Sequence, residues 1–213
     1  MREFNRLLPK PSREEISAEE LDDFDAVEER TNRIDYPSFD LPARYYGALQ
    51  NSPPMAAAIM QLGKLVRAGE LRGSYTDAQR EFVDMVIGAD LKYNGIFSIH
   101  IPDAIAVGVR PEAIKAVLAG EDKQLSNEER KIAEYTRQVI NGAVTDESHA
   151  AMSCIMGKRG TLEFTIFICF LLMTFRLWQA LGVPDPTDEE IDELIAGLVD
   201  GSIPVPHPKA RIA

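Results

Sequence analysis

Apolar residues recur at helical spacing along most of this chain. Phe82, Val83, Val86 and Ile87 fall on one face of a helix, and an almost wholly apolar stretch runs from Thr161 to Leu181. Four segments carry Ser or Thr followed three residues later by Glu or Gln: Ser17 and Glu20, Thr76 and Gln79, Ser126 and Glu129, Thr187 and Glu190. In that pattern each end satisfies the other's orphan backbone donor, so each predicts a helix start. Pro53-Pro54 and Pro111 suit the first turns of two further helices. Stops are predicted at Gly69, Asn94-Gly95, Gly120, near Asn141 and before Gly157-Lys-Arg-Gly160. Pro102 lies inside a short helix expected over 96–107, and Asp146 begins another. No run alternates with period two. The fold class is therefore all-α, a compact multi-helix bundle.

The organisation has three parts. Residues 1–50 form an N-terminal extension: an acidic helix from Ser17 to about Arg30, then a Pro- and Tyr-rich stretch, IDYPSFDLPARYYGALQNSPP, that reads as an extended arm over the domain or a neighbouring subunit. Residues 51–183 form the helical domain. Residues 184–213 carry a last amphipathic helix and a Pro-rich tail that cannot be helical.

Charge narrows the partners. The net charge is -11, with ten acidic residues between Glu14 and Asp35. Nucleic acid and anionic membrane both need a basic footprint, so neither is expected. The apolar run is closed by Glu163 and Arg176 and reads as a core helix rather than a span. The first residues lack a secretory apolar core. The two cysteines, Cys154 and Cys169, form no CxxC and no metal-ligand spacing. The expectation is a cytoplasmic protein with two buried, reduced thiols.

The segment REFVDMVIGADLKYNGIFSIHIPDAIAVGVRPEAI is similar to the signature of the carboxymuconolactone decarboxylase and alkylhydroperoxidase D-like family. That signature runs Glu, eleven residues, Cys, two residues, Cys, three residues, His. Glu81 and His100 stand at the glutamate and histidine positions, while Tyr93 and Ile96 replace the two cysteines. NSPPMAAAIMQLGKLVR before it, and EERKIAEYTRQV and GKRGTLEFT after it, extend the resemblance over about Tyr45 to Val183. The resemblance implies the family's helical fold and a homotrimer or hexamer.

Without the sulfurs, thiol peroxidase chemistry is not carried over. What the resemblance leaves is acid–base chemistry without cofactor or metal on a small carboxylate or lactone, of decarboxylase, isomerase or hydrolase type. His100 would be the proton donor and acceptor, with Glu81 orienting it. Tyr93 could donate to an oxyanion. Arg44 could hold a substrate carboxylate, as could Arg159 or Arg176. Glu163, at the head of the apolar helix, could face the same cavity. The rival reading is a non-catalytic helical oligomer in which Glu81 and His100 only pack.

Overall fold

Helix α4 (Asp77–Leu91) organises the molecule, with ten of its fifteen residues buried. A computed structural model of the chain describes residues 1–32 and 39–207. Around α4 lie α5 (Gly95–Ala106), α6 (Pro111–Ala119), α7 (Asn127–Asn141) and α8 (Asp146–Leu181). Helices α1 (Leu21–Thr31), α2 (Leu41–Leu49) and α3 (Pro53–Arg67) form a layer beside α8, and α9 (Asp188–Asp200) packs on α5. Among the described residues there is no strand, only one antiparallel bridge between Arg2 and Asp185. The fold is all-α.

Caps set most of the boundaries. The hydroxyls of Thr76, Ser126 and Thr187 accept from the backbone three residues on and open α4, α7 and α9. Three expectations change. The Ser17 hydroxyl donates to the Glu20 carboxylate at 3.0 Å, closing a turn, and α1 begins only at Leu21. Part of the expected extended arm is helix α2: Pro42 sits in its first turn, where a missing N–H costs no bond, and Leu41, Tyr45 and Ala48 make its buried face. The rest of that arm, 33–38, lies outside the described residues, as does the tail end, 208–213. Finally, the stop expected before Gly157-Lys-Arg-Gly160 is there as a break at Gly157 alone, and no loop follows it. The chain turns once, at Gly157 with φ 72° and ψ 172°, and is helical again from Lys158.

The extremities are tied together. Arg2 exchanges backbone hydrogen bonds with Asp185, and Arg6 donates to the carbonyls of Gln179 and Ala180, satisfying the open end of α8. The Asp185 carboxylate accepts from the Asn94 backbone, so the same corner also fixes the turn between α4 and α5.

Candidate functional site: a buried ion cluster on an aromatic cavity

The α4–α5 hairpin needs a close approach. A Cβ at Gly88 would collide with the Phe97 ring, so glycine lets the two helices pack tightly. Folding back in this way sets Glu81 of α4 beside His100 of α5. His100 Nδ1 stands 3.1 Å from Glu81 Oε2 and 3.8 Å from Asp103 Oδ2. The ring N–H points off the line to Oε2, so the pair is a close contact rather than a straight hydrogen bond, and neither atom has another hydrogen-bond partner.

Arg67, in the last turn of α3, closes the cluster. Its Nη2 lies 3.1 Å from His100 Nε2 and 3.2 and 3.3 Å from the two oxygens of Asp84, while Nη1 donates to Glu81 Oε1 at 3.3 Å. Its guanidinium lies over the Phe167 ring, 5.5 Å from the centroid. Arg80 donates to the other side of Glu81 Oε1 at 2.9 Å, to the Arg67 carbonyl at 2.7 Å, and to Asp77. An arginine can only donate, so Nε2 must be the acceptor and a neutral His100 carries its proton on Nδ1, facing Glu81.

The ion pairs shift the acids in different directions. Burial works against the Glu81 carboxylate, but His100, Arg67 and Arg80 outweigh it and hold its pKa well below the ordinary range. Burial raises the Asp84 pKa, and Arg67 and His100 only partly offset it. Burial also opposes the Arg67 charge, yet Asp84 and Glu81 more than compensate and keep it protonated. Ligand-type atoms of Glu81, Asp84 and His100 lie within 4.8 Å of one another, a density that could suit a metal ion. The guanidinium of Arg67 already supplies the cation that touches all three.

This cluster forms one wall of a cavity of about 130 Å³ enclosed by α1, α2, α3, α4, α5 and α8. The other walls are largely apolar, with four aromatic rings, Tyr45, Tyr46, Phe170 and Trp178, set among Pro42, Ile59, Met60, Ile96, Ile99 and Leu171. Tyr45 packs on Trp178 with ring centroids 5.0 Å apart and on Tyr46 at 5.1 Å. Four cationic side chains line the space, Arg30, Lys64, Arg67 and Arg80, against the carboxylates Glu81 and Asp103.

Of the residues singled out from the sequence, the structure brings together Glu81 and His100 at this cavity; the other five lie elsewhere. The Tyr93 hydroxyl donates to the Val183 carbonyl at 3.1 Å, on the side held by the chain ends, and does not line the cavity. Ile96, at the other cysteine position of the signature, does line it. Arg44 is on the surface, paired with Glu3 at 3.1 Å. Glu163 accepts from Ser74, Arg72 and Arg159 at 2.6 to 2.8 Å and does not line the cavity. Arg159 is spent on Glu163, and Arg176 bonds Gln179 at the surface. The thiols also differ from expectation: Cys154 and Cys169 are both exposed. Cys169 shares with Leu162, Ile166 and Met173 the outward face of α8, because all four follow the i, i+4, i+7, i+11 spacing.

Sequence reasoning missed Arg67, Asp84, Arg80 and Tyr45. One signal was available. Asp77, Arg80, Glu81 and Asp84 share one face of a helix that is otherwise apolar, and such a stripe on a helix with no solvated side marks internal ion pairs. Arg67 carried no such mark, since a basic residue in a helix's last turn is ordinary.

Against known proteins, the chain matches no family model and no curated sequence.

Proposed function

We propose that the cavity is an active site for acid–base chemistry on a small carboxylated or lactone-like compound. The observation that carries this reading is the chain Glu81–His100–Arg67 set in the wall of an aromatic cavity. Decarboxylation of a lactone acid, or movement of a double bond beside a carbonyl, develops negative charge on an oxygen and needs a proton at carbon. In double-bond movement His100 Nε2 would take the proton from one carbon and return it to the other. In decarboxylation it would first bind a proton from solvent and then pass it to the carbon, with Glu81 holding the ring and balancing its charge. Arg67 would receive the developing oxyanion. In the free protein Arg67 Nη2 covers His100 Nε2, so an incoming carboxylate or enolate oxygen would compete for the guanidinium and uncover that nitrogen. The resemblance to the carboxymuconolactone decarboxylase and alkylhydroperoxidase D-like family agrees with this reading. Tyr93 and Ile96 in place of the cysteines argue against thiol-dependent peroxide reduction.

The test is turnover of a panel of lactone acids and unsaturated keto acids by the intact protein and by His100→Ala. Turnover by the first and its loss in the second, with the fold retained, is the expected result. A second reading, a non-catalytic scaffold, is favoured by one observation: Arg67 already engages His100, Glu81 and Asp84, as a purely structural network would. Absence of turnover across the panel, together with loss of stability on every change to the cluster, would favour it.

In either reading the chain would assemble as a homo-oligomer, in which the exposed Leu162, Ile166 and Met173 stripe of α8, with Leu62 and Leu65 of α3, is covered by another copy. By length and composition α8 is the one described helix that could cross a membrane, although its inner face is packed in the core. We read it as a core helix of a cytoplasmic protein, with neither nucleic acid nor membrane as partner.

A further inference from the structure

Four tyrosines among the described residues are buried: Tyr45, Tyr75, Tyr93 and Tyr135. Three have their hydroxyls paired. Tyr75 donates to the Val66 carbonyl, Tyr93 to the Val183 carbonyl, and Tyr135 shares a 2.7 Å hydrogen bond with Thr165. Tyr45 is the exception: it is 2% exposed and its hydroxyl has no hydrogen-bond partner among the described residues. It is also the only one of the four that lines the cavity. A buried hydroxyl left unpaired is unfavourable, and folded proteins satisfy nearly all such groups. Tyr45 lines the cavity while its hydroxyl is sealed just behind the wall, so a small shift of the lining would let a partner arriving from outside reach it.

We propose that the Tyr45 hydroxyl is a specificity-determining donor to an oxygen of a small aromatic carboxylate bound in this cavity. This deepens the functional reading above and rests on the same cavity being the substrate site. Burial pushes the Tyr45 phenol well above its ordinary range, so it stays protonated and acts as a donor. The ring of the ligand is argued from shape. Tyr45, Tyr46, Phe170 and Trp178 offer flat faces, and about 130 Å³ is close to the roughly 150 Å³ cavity known to take a benzene ring. Its charge is argued from the lining. In a chain of net charge -11, Arg67 and Arg80 are held by Glu81, Asp84 and Asp77, and on the rest of the lining Arg30 and Lys64 face one carboxylate, Asp103. A concave site with low-dielectric walls concentrates such a field on a bound anion. Lys64, exposed at the cavity edge, draws the carboxylate in, and Tyr45 reads an oxygen deeper inside.

The experiment is calorimetric titration of the full chain with benzoate, with benzamide as the uncharged match and cyclohexanecarboxylate as the non-planar one. The intact protein is expected to bind benzoate more tightly than either control. Tyr45→Phe removes a hydroxyl that bonds nothing in the free protein, so its melting temperature should stay level or rise. Its benzoate affinity should fall about five- to tenfold. Lys64→Gln, at an exposed position, should weaken benzoate and leave benzamide unchanged. Undiminished benzoate affinity in Tyr45→Phe, a clear drop in its melting temperature, or no benzoate binding by the intact protein at millimolar concentration would each overturn the proposal. Binding is read without turnover, so the two readings can fail separately. A Tyr45-dependent benzoate site in a protein that turns over nothing would sink catalysis alone. Turnover that needs His100 while benzoate binding ignores Tyr45 would sink this inference alone.

Discussion

Two carboxylate–arginine clusters in this protein use the same chemistry in different surroundings. At the head of the apolar part of α8, Glu163 accepts from Ser74, Arg72 and Arg159, and Arg159 is 70% exposed. At the α3–α4–α5 junction, Glu81 and Asp84 meet Arg67 and Arg80, and the two carboxylate side chains are 2% and 0% exposed. Both clusters are dense in hydrogen bonds. Only the second lines the cavity described above and holds a histidine. Arg159 and Arg72 reach solvent, so the charges of the first are partly screened. The carboxylates of the second are cut off from water, so each depends on its neighbours, and a bound anion would change the balance among them. Density of ion pairs alone therefore does not mark a site; burial against an open cavity does.

The largest difference between the clusters should come from Arg67→Ala. It strands Glu81 and Asp84 without their shared cation, and removing one partner of a buried pair costs about 3–5 kcal/mol. Chemical denaturation should show that loss, and a change under about 1 kcal/mol would mean water reaches the cluster. His100→Ala bears on chemistry instead. Loss of a general acid should lower turnover by about 10²–10⁴-fold with the far-ultraviolet circular dichroism unchanged. Glu81→Gln should lower it less, because the amide keeps the shape and loses only the charge facing the ring. A larger effect from Glu81→Gln than from His100→Ala would reverse their assigned roles.

Glu163→Gln should be milder, on the order of 1 kcal/mol at neutral pH, because its two charged partners, Arg72 and Arg159, reach solvent. Here the sign with pH is definite. The Ser74 hydrogen bond, helped by Arg159 and Arg72, holds the folded-state pKa of Glu163 down to about 2, below its ordinary value of 4.5. A depressed carboxylate contributes stability above its unfolded pKa and loses it as pH falls through the folded one. The stability gap between the intact protein and Glu163→Gln should therefore close between about pH 4.5 and about pH 2. A gap that stays constant over that range would mean the carboxylate charge is not what stabilises the α8 head. The smallest effect is expected from Cys154→Ala with Cys169→Ala, which should leave both turnover and melting temperature within experimental error. The two thiols also report on assembly. If the α8 stripe is covered in a homo-oligomer, a thiol reagent should modify Cys154 quickly and Cys169 slowly. Equal rates, with light scattering giving a monomer, would remove that interface.

The sequence announced the helices better than their joints. The caps at Thr76, Ser126 and Thr187 are local devices in which a side chain bonds its own backbone, so the residues alone predict them. Ser17 had the same pattern, yet its hydroxyl took the Glu20 side chain, a choice between two local partners that the pattern does not resolve. In α2, the Pro and Tyr residues looked like an arm because composition outweighed the spacing of Leu41, Tyr45 and Ala48.

The candidate site divides in the same way. Glu81 and His100 could be named because their spacing matches the signature that this segment resembles, and the break at Asn94-Gly95 lets one hairpin bring them together. Their charge environment could not. Arg67 comes from α3, and Tyr45 and Trp178 from α2 and α8; no local rule links these to α4 or α5. By itself the sequence determined the all-α class, most helix starts and the pairing of two residues across one turn, since those depend on hydrogen bonds and periodicity within a few turns of chain. Only the packing of separate helices decided which arginine meets the histidine, which tyrosine is left without a partner and which carboxylates are cut off from water. Those outcomes depend on distances between segments far apart in the chain, and burial, which gives them their energetic weight, exists only once the helices are assembled.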